Sequence, residues 1–212
     1  GYMAPFYMYN NIRGIDKSMM DFYRNPSYAH YVLNEISNFL IEYHEKLFQK
    51  LSDMIDITQV TDDFGTQKNL MIGVDTFKEF IKPHYERMIE LTESHDIIVF
   101  HHDDGAIKEL IPSLIDLGVK VLNPIQWRCP GMDPENLKSN FGNQLCFHGG
   151  VDNQRTLPSG TQDEVVEETR WLLETLGEDG TGYILAPCHN IQVNTPVENV
   201  LAMYETVQNK TL

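Results

Sequence analysis

Apolar residues recur along this chain in two rhythms that alternate. One fits helix faces and the other fits short buried strands. Val32, Ile36, Phe39, Tyr43 and Leu47 step by three and four residues and predict an amphipathic helix over residues 27–51. Phe77, Phe80, Ile81, Met88 and Leu91 form a second helical stripe, with a kink expected near Pro83. Ile107, Leu110, Ile111, Leu114 and Ile115 form a third, and Gly118 is placed to stop it. Between these stripes lie short apolar runs at residues 3–8, 55–60, 97–100, 119–124, 145–147 and 183–186, each read as a strand.

Punctuation supports this reading. Asp133-Pro134-Glu135 opens a short helix, with Asp as N-cap and Pro in the first turn, and Gly142 ends it. Thr161 to Glu164 spells a capping box, followed by a buried face of Val165, Val166, Thr169, Leu172, Leu173 and Leu176. Thr195-Pro196-Val197-Glu198 reads as a second capping box, opening the last helix through Met203. The result is about six βα units and hence a parallel α/β sheet. Connections are short and no repeat or low-complexity segment interrupts them, so one domain over residues 1–212 is expected. A closed (β/α)8 TIM barrel needs eight strands and about 250 residues. An open doubly wound sheet could use six, but its G-x-G-x-x-G turn is absent. The preferred reading is a barrel whose N-terminal units are missing from this chain. The opening Gly1-Tyr2-Met3-Ala4-Pro5-Phe6 has strand character and no initiator Met, as expected of a chain that starts inside a fold.

Charge and cysteine usage narrow the function. The net charge is −15, which repels phosphate backbones and anionic lipid, so neither nucleic acid nor a membrane surface is an expected partner. No run of about 18 apolar residues marks a membrane span. The three cysteines, Cys129, Cys146 and Cys188, form no CxxC pair, which fits a reducing cytoplasm.

The chemistry concentrates where apolar strands end. The three prominent ends are His101-His102-Asp103-Asp104-Gly105, His148-Gly149-Gly150-Val151-Asp152 and Pro187-Cys188-His189-Asn190. Parallel α/β proteins place active sites at such ends. Strand alternation puts His102 and Asp104 on one side, and His101 and Asp103 on the other. His-x-Asp can offer an imidazole and a carboxylate to one zinc ion, or form a structural pair. His189 is a second candidate ligand and Cys188 an alternative to it, since thiolate also suits zinc. Asp62 and Asp63, after the strand at 55–60, could bind a cation, act as general base or cap a helix. Gln126 and Asp152 add polar strand ends that could contact a small-molecule substrate. The His148 to Asp152 turn reads as a supporting wall in which the glycines matter more than the histidine. No G-x-S-x-G elbow, P-loop or H-E-x-x-H is present.

Together these segments resemble the uroporphyrinogen decarboxylase superfamily, which also contains corrinoid-linked methyltransferases. The match runs through Asp62-Asp63-Phe64-Gly65-Thr66-Gln67, residues 100–105, Leu122-Asn123-Pro124-Ile125-Gln126, Gly131-Met132-Asp133-Pro134, residues 148–152, 157–161 and 182–192, and the terminal stretch 195–204. The resemblance implies a TIM barrel of which this chain is the C-terminal two-thirds. In the decarboxylase branch, which needs no metal, the late histidine matches His189. The active-site tyrosine falls near Asn11, a substrate-contact candidate, and the serine near Asp63, so both are changed here. In the methyltransferase branch a His-x-Cys pair and a later Cys hold zinc. His102 matches that His, Asp104 replaces the first Cys and His189 the second. The resemblance therefore implies a methyltransferase that uses zinc or another divalent metal and a corrinoid carried by a partner protein. Alternatives are a porphyrinogen carboxy-lyase and a non-catalytic barrel-derived binding protein. A homo-oligomer is compatible with each.

Overall fold

The computed structural model describes residues 2–208. The chain forms two compact units, residues 1–121 and 122–212. Among the described residues, no helix is long and apolar enough to cross a membrane.

The first unit begins with β1 (Tyr2–Met3), then α1 (Pro5–Arg13), α2 (Ile15–Arg24) and the long α3 (Pro26–Leu51). The strand expected over residues 3–8 thus stops after Met3. Pro5 sits in the first turn of α1, where its fixed φ and missing N–H suit a helix start better than a strand. β2 (Ile57–Val60) and β3 (Ile98–His102) flank a helical stretch made of α4 (Val74–Thr76), a π turn at Phe77–Ile81 and α5 (Lys82–Glu93). The π turn lies just before Pro83, where the proline cannot donate to an i−4 carbonyl, so the irregularity expected there is a widened turn. α6 (Ile111–Leu117) ends at Gly118, left-handed with φ +108°. Added to that strain, a Cβ on Gly118 would lie 2.7 Å from Glu93.

β1, β2 and β3 are parallel neighbours, with Met3 opposite Val60 and Thr58 opposite Val99. Lys120, leading into β4 (Val121–Asn123), donates to the Val99 carbonyl. Alternate residues Thr58, Val60, Val99 and His101 are buried. Beside them, Phe64 forms a ring cluster with Phe6, Phe77 and Tyr85 at centroid distances of 5.1, 5.2 and 6.1 Å. The face that α3 buries is Ala29, Leu33, Ile36, Leu40, His44 and Phe48. Only Ile36 of the expected stripe belongs fully to it. Phe39 and Tyr43 are 62% and 51% exposed. Apolar residues lie on two sides of this helix, and packing against the unit selected one of them.

An ion pair between a buried carboxylate and a partly exposed arginine fixes the start of this unit. Asp21 accepts from Arg13 Nε at 2.6 Å, the Tyr9 hydroxyl at 2.9 Å and Asn25 Nδ2 at 3.0 Å. The Arg13 guanidinium, helped by Asn25 and Tyr9 and opposed by burial, holds the Asp21 carboxyl at about 2. A folded-state pKa below the unfolded value gives stability that is present above about pH 4 and lost as pH falls toward 2. Urea unfolding across this range is expected to show that fall. Asp21→Asn should flatten it and cost about 2 kcal/mol at neutral pH. An unchanged pH dependence in the variant would refute this account.

The second unit contains α7 (Pro134–Phe141), β5 (Cys146–His148), α8 (Thr156–Ser159), α9 (Gln162–Leu176), β6 (Tyr183–Ile184) and α10 (Val197–Gln208). β5 and β6 are parallel, with Phe147 opposite Tyr183 and His148 opposite Ile184. Asp133 caps α7 by accepting from Asn136 N–H, and Thr161 with Glu164 forms the expected capping box of α9. The second expected box does not form. The buried Thr195 hydroxyl has no hydrogen-bond partner, and the Pro196 carbonyl instead accepts from Asn199 and Val200 N–H. The Asn199 side chain anchors α10 by donating to the Leu157 and Gly160 carbonyls at 2.9 and 2.8 Å.

Candidate functional site

In the first unit the ends of β2 and β3 are tied to each other. The Thr61 hydroxyl accepts from His102 N–H at 2.9 Å and donates to the His102 carbonyl, so the β2 end sets the position of His102. His101 and Asp103 are fully buried, while His102 and Asp104 reach solvent, as the two-residue period requires. His102 Nε2 lies 3.9 Å from Asp104 Oδ2 and 3.8 Å from Asp63 Oδ1. Asp63 Oδ1 also accepts from Asp104 N–H at 3.2 Å. One imidazole and two carboxylates therefore converge on the half-exposed side of these strand ends.

Asp62 turns the other way. Its buried carboxylate accepts from Phe6 N–H at 3.2 Å, Tyr7 N–H at 2.6 Å and the Tyr85 hydroxyl at 3.0 Å. It thus caps the first turn of α1 from a distant strand. Burial pushes its pKa well above the usual carboxylate range, against the two backbone N–H groups. Of the adjacent pair, Asp63 faces the candidate site and Asp62 holds the fold. Asp103 has a similar inward role, with Oδ1 accepting from Phe64 and Gly65 N–H at 2.8 and 3.0 Å. Burial raises its pKa, opposed by His101, whose Nε2 lies 3.5 Å from Asp103 Oδ2. Asn11 is exposed on α1 and donates to the Tyr7 carbonyl one turn back.

In the second unit, Cys188 is buried and its thiol donates to the Ile125 carbonyl at 3.4 Å, while the neighbouring His189 is exposed. Gln126 is half-buried beside Cys129, whose sulfur lies 3.7 Å from its Oε1. Asp152 is buried and occupied by structure. It accepts from Arg128 Nε and from Gln154 N–H at 2.7 Å, and its own N–H donates to Glu168 at 2.6 Å. The Arg128 guanidinium also stacks on Trp127, 4.0 Å from the ring centroid. Burial raises the pKa of Glu168, opposed by the Thr156 hydroxyl. Sequence reasoning passed over Arg128 and Glu168. The available signal was an arginine just after a strand in a chain poor in basic residues.

The profile of the family described as "Uroporphyrinogen decarboxylase (URO-D)" matches residues 2–210. The chain belongs to the uroporphyrinogen decarboxylase family. It is 23% identical over 202 residues to a uroporphyrinogen decarboxylase of Chlorobium phaeobacteroides, covering 92% of this chain and 52% of that protein. It is 21% identical over 203 residues to a methylated-thiol–coenzyme M methyltransferase of Methanosarcina mazei, covering 94% of this chain and 49% of that protein. The chain thus spans about half the length of these curated relatives. A solved methyltransferase from Methanosarcina mazei has the same fold, with a TM-score of 0.75, 18% identity and coverage of 97% of this chain and 56% of its own. The fold is therefore α/β with six parallel strands, a partial uroporphyrinogen decarboxylase barrel. Both named activities occur among these relatives of the uroporphyrinogen decarboxylase family, at similarly low identity.

Proposed function

We propose that this protein is a metal-assisted methyltransferase of the uroporphyrinogen decarboxylase family, working with a corrinoid carried by a partner protein. The observation that supports this reading best is the convergence of Asp63 and Asp104 on His102 Nε2, at 3.8 and 3.9 Å. Metal–ligand bonds of roughly 2.0–2.2 Å in a tetrahedral site place neighbouring ligand atoms roughly 3.3–3.6 Å apart, so small side-chain rotations would bring His102 and Asp104 onto one ion, with Asp63 beside it. The donor set is nitrogen and oxygen, which suits zinc and also admits other divalent ions. His189 is the proposed third ligand. This histidine follows β6 and stands where the methyltransferase branch has its later zinc-binding Cys. Cys188 is the weaker choice because its thiol is engaged with Ile125.

When bound, the metal would act as a Lewis acid toward the methyl acceptor or the leaving heteroatom. Asp63, half-exposed beside His102, would hold or move a proton there. Asp62 plays no part at the reacting atoms and keeps α1 in place. Gln126 would contact substrate near the end of β4.

Metal analysis of the purified protein, combined with an assay of methyl transfer from a methylated corrinoid, tests this reading. Near-stoichiometric zinc with turnover is the expected result. Metal-free protein that releases carbon dioxide from uroporphyrinogen would establish the decarboxylase instead, the activity named for several of the relatives. Neither metal nor turnover would favour a binding role.

A further inference from the structure

The ends of β4 and β5 carry a second polar device. Asn123, the last residue of β4, points its Nδ2 at His148, the last residue of β5. That single amide nitrogen lies 2.8 Å from His148 Nδ1 and 3.2 Å from the His148 carbonyl oxygen. The carbonyl can only accept, so the group facing it is the NH2 and not the amide oxygen. The same NH2 then faces Nδ1, which must accept as well. The ring proton of His148 is therefore on Nε2.

The surrounding turn keeps this geometry. Gly149 has φ +86°, and a Cβ there would sit 3.2 Å from Asn123 Nδ2 and 3.1 Å from the Pro187 carbonyl. Only glycine leaves the amide its place. The Tyr183 hydroxyl, from β6, donates to the Gly149 carbonyl at 2.8 Å and pins the turn. Phe147 fills the buried side of β5, so the half-exposed His148 stands on its opposite side.

We infer that Asn123 and His148 form a built donor site in which His148, locked with its proton on Nε2, hydrogen-bonds an acceptor oxygen of the substrate, either a carboxylate or a neutral carbonyl. This rests on reading the strand ends as the substrate-binding rim, but not on the metal. It makes His148 a substrate-orienting residue, beyond the supporting-wall role expected from the sequence.

The test uses the whole protein with 15N-labelled histidine, in EDTA, with acetate and acetamide as probes. Long-range 1H–15N spectra are expected to show His148 protonated on Nε2, with its Nε2 resonance shifting as probe is added. Saturation by acetate alone assigns a carboxylate, and saturation by both assigns a carbonyl-type acceptor. His148→Leu should weaken probe binding about tenfold, while His148→Gln, which keeps an N–H donor, should stay within about threefold. Asn123→Asp replaces the donor to Nδ1 with an acceptor, so it should move the ring proton to Nδ1 and weaken binding like His148→Leu. A wild-type ring protonated on Nδ1, or probe binding unchanged in His148→Leu, would overturn the inference. Because the metal is chelated throughout, a zinc-free protein would leave this result intact while removing the methyltransferase reading.

Discussion

On the proposed metal-assisted methyl transfer, His102→Ala is expected to remove metal binding and turnover together. Loss of outer-shell partners typically weakens metal binding about 10- to 100-fold, and loss of a ligand should exceed that, so affinity should fall more than about 100-fold and turnover with it. The reason is geometric. His102 is the group shared by both close carboxylates, at 3.8 Å from Asp63 and 3.9 Å from Asp104. Without the imidazole, the remaining oxygens repel each other and lose their common focus. Asp63→Asn is a milder change, because its amide oxygen can still accept from Asp104 N–H while the charge is gone. It should cost about tenfold in metal affinity. Zinc content measured after dialysis, beside a thermal unfolding curve to exclude misfolding, reads the difference. A folded His102→Ala protein that keeps its zinc would end the metal proposal for this residue.

Gly105→Ala should destabilise the first unit by about 3 kcal/mol or more, and Gly65→Ala by about 1–3 kcal/mol. These glycines sit where the segments after β2 and β3 touch. A Cβ on Gly65 would collide with the Asp104 carbonyl and lie 2.7 Å from Ile107 Cγ2. A Cβ on Gly105 would collide with the Thr66 carbonyl and lie 2.9 Å from Thr66 N, at φ +94°. Ala106 N–H donates to the same Thr66 carbonyl at 2.8 Å, so the backbone cannot retreat without losing that bond. Left-handed strain of about 1–3 kcal/mol adds to an overpacking cost of about 1–3 kcal/mol at Gly105. The forced separation would also displace Asp104 from His102, so metal binding should weaken before the unit unfolds. Gly73→Ala is the control, since its Cβ would meet nothing within 4 Å and its φ of −68° is ordinary. It should change stability by less than about 1 kcal/mol. Equal urea midpoints for Gly105→Ala and Gly73→Ala would show that the close approach is wrong.

Parts of the fold written in local chemistry were legible in advance. Asp133, the Thr161 to Glu164 box and Gly118 each end or start a helix where expected, because caps depend on residues one turn apart. The second box at Thr195 failed although its pattern is similar, since there the Pro196 carbonyl takes the first helical bonds. Pro5 was the missed local signal, turning an apolar run into a helix start. At the candidate site, the two-residue period separated His102 and Asp104 from His101 and Asp103 correctly. The same period says that Asp62 and Asp63 face opposite ways, but not which of them faces inward.

By itself, then, the sequence determined the alternation of strands and helices, most helix boundaries, and the pairing of His102 with Asp104 on one side of a strand. Each depends on neighbours a few residues away. Only the tertiary structure decided which side of α3 is buried, that Asp62 caps α1 while Asp63 meets His102, and that the Asn123 amide meets the His148 ring. Those outcomes depend on contacts between residues 25 to 56 positions apart, and on which of two plausible faces packing removed from water, quantities that no local pattern encodes.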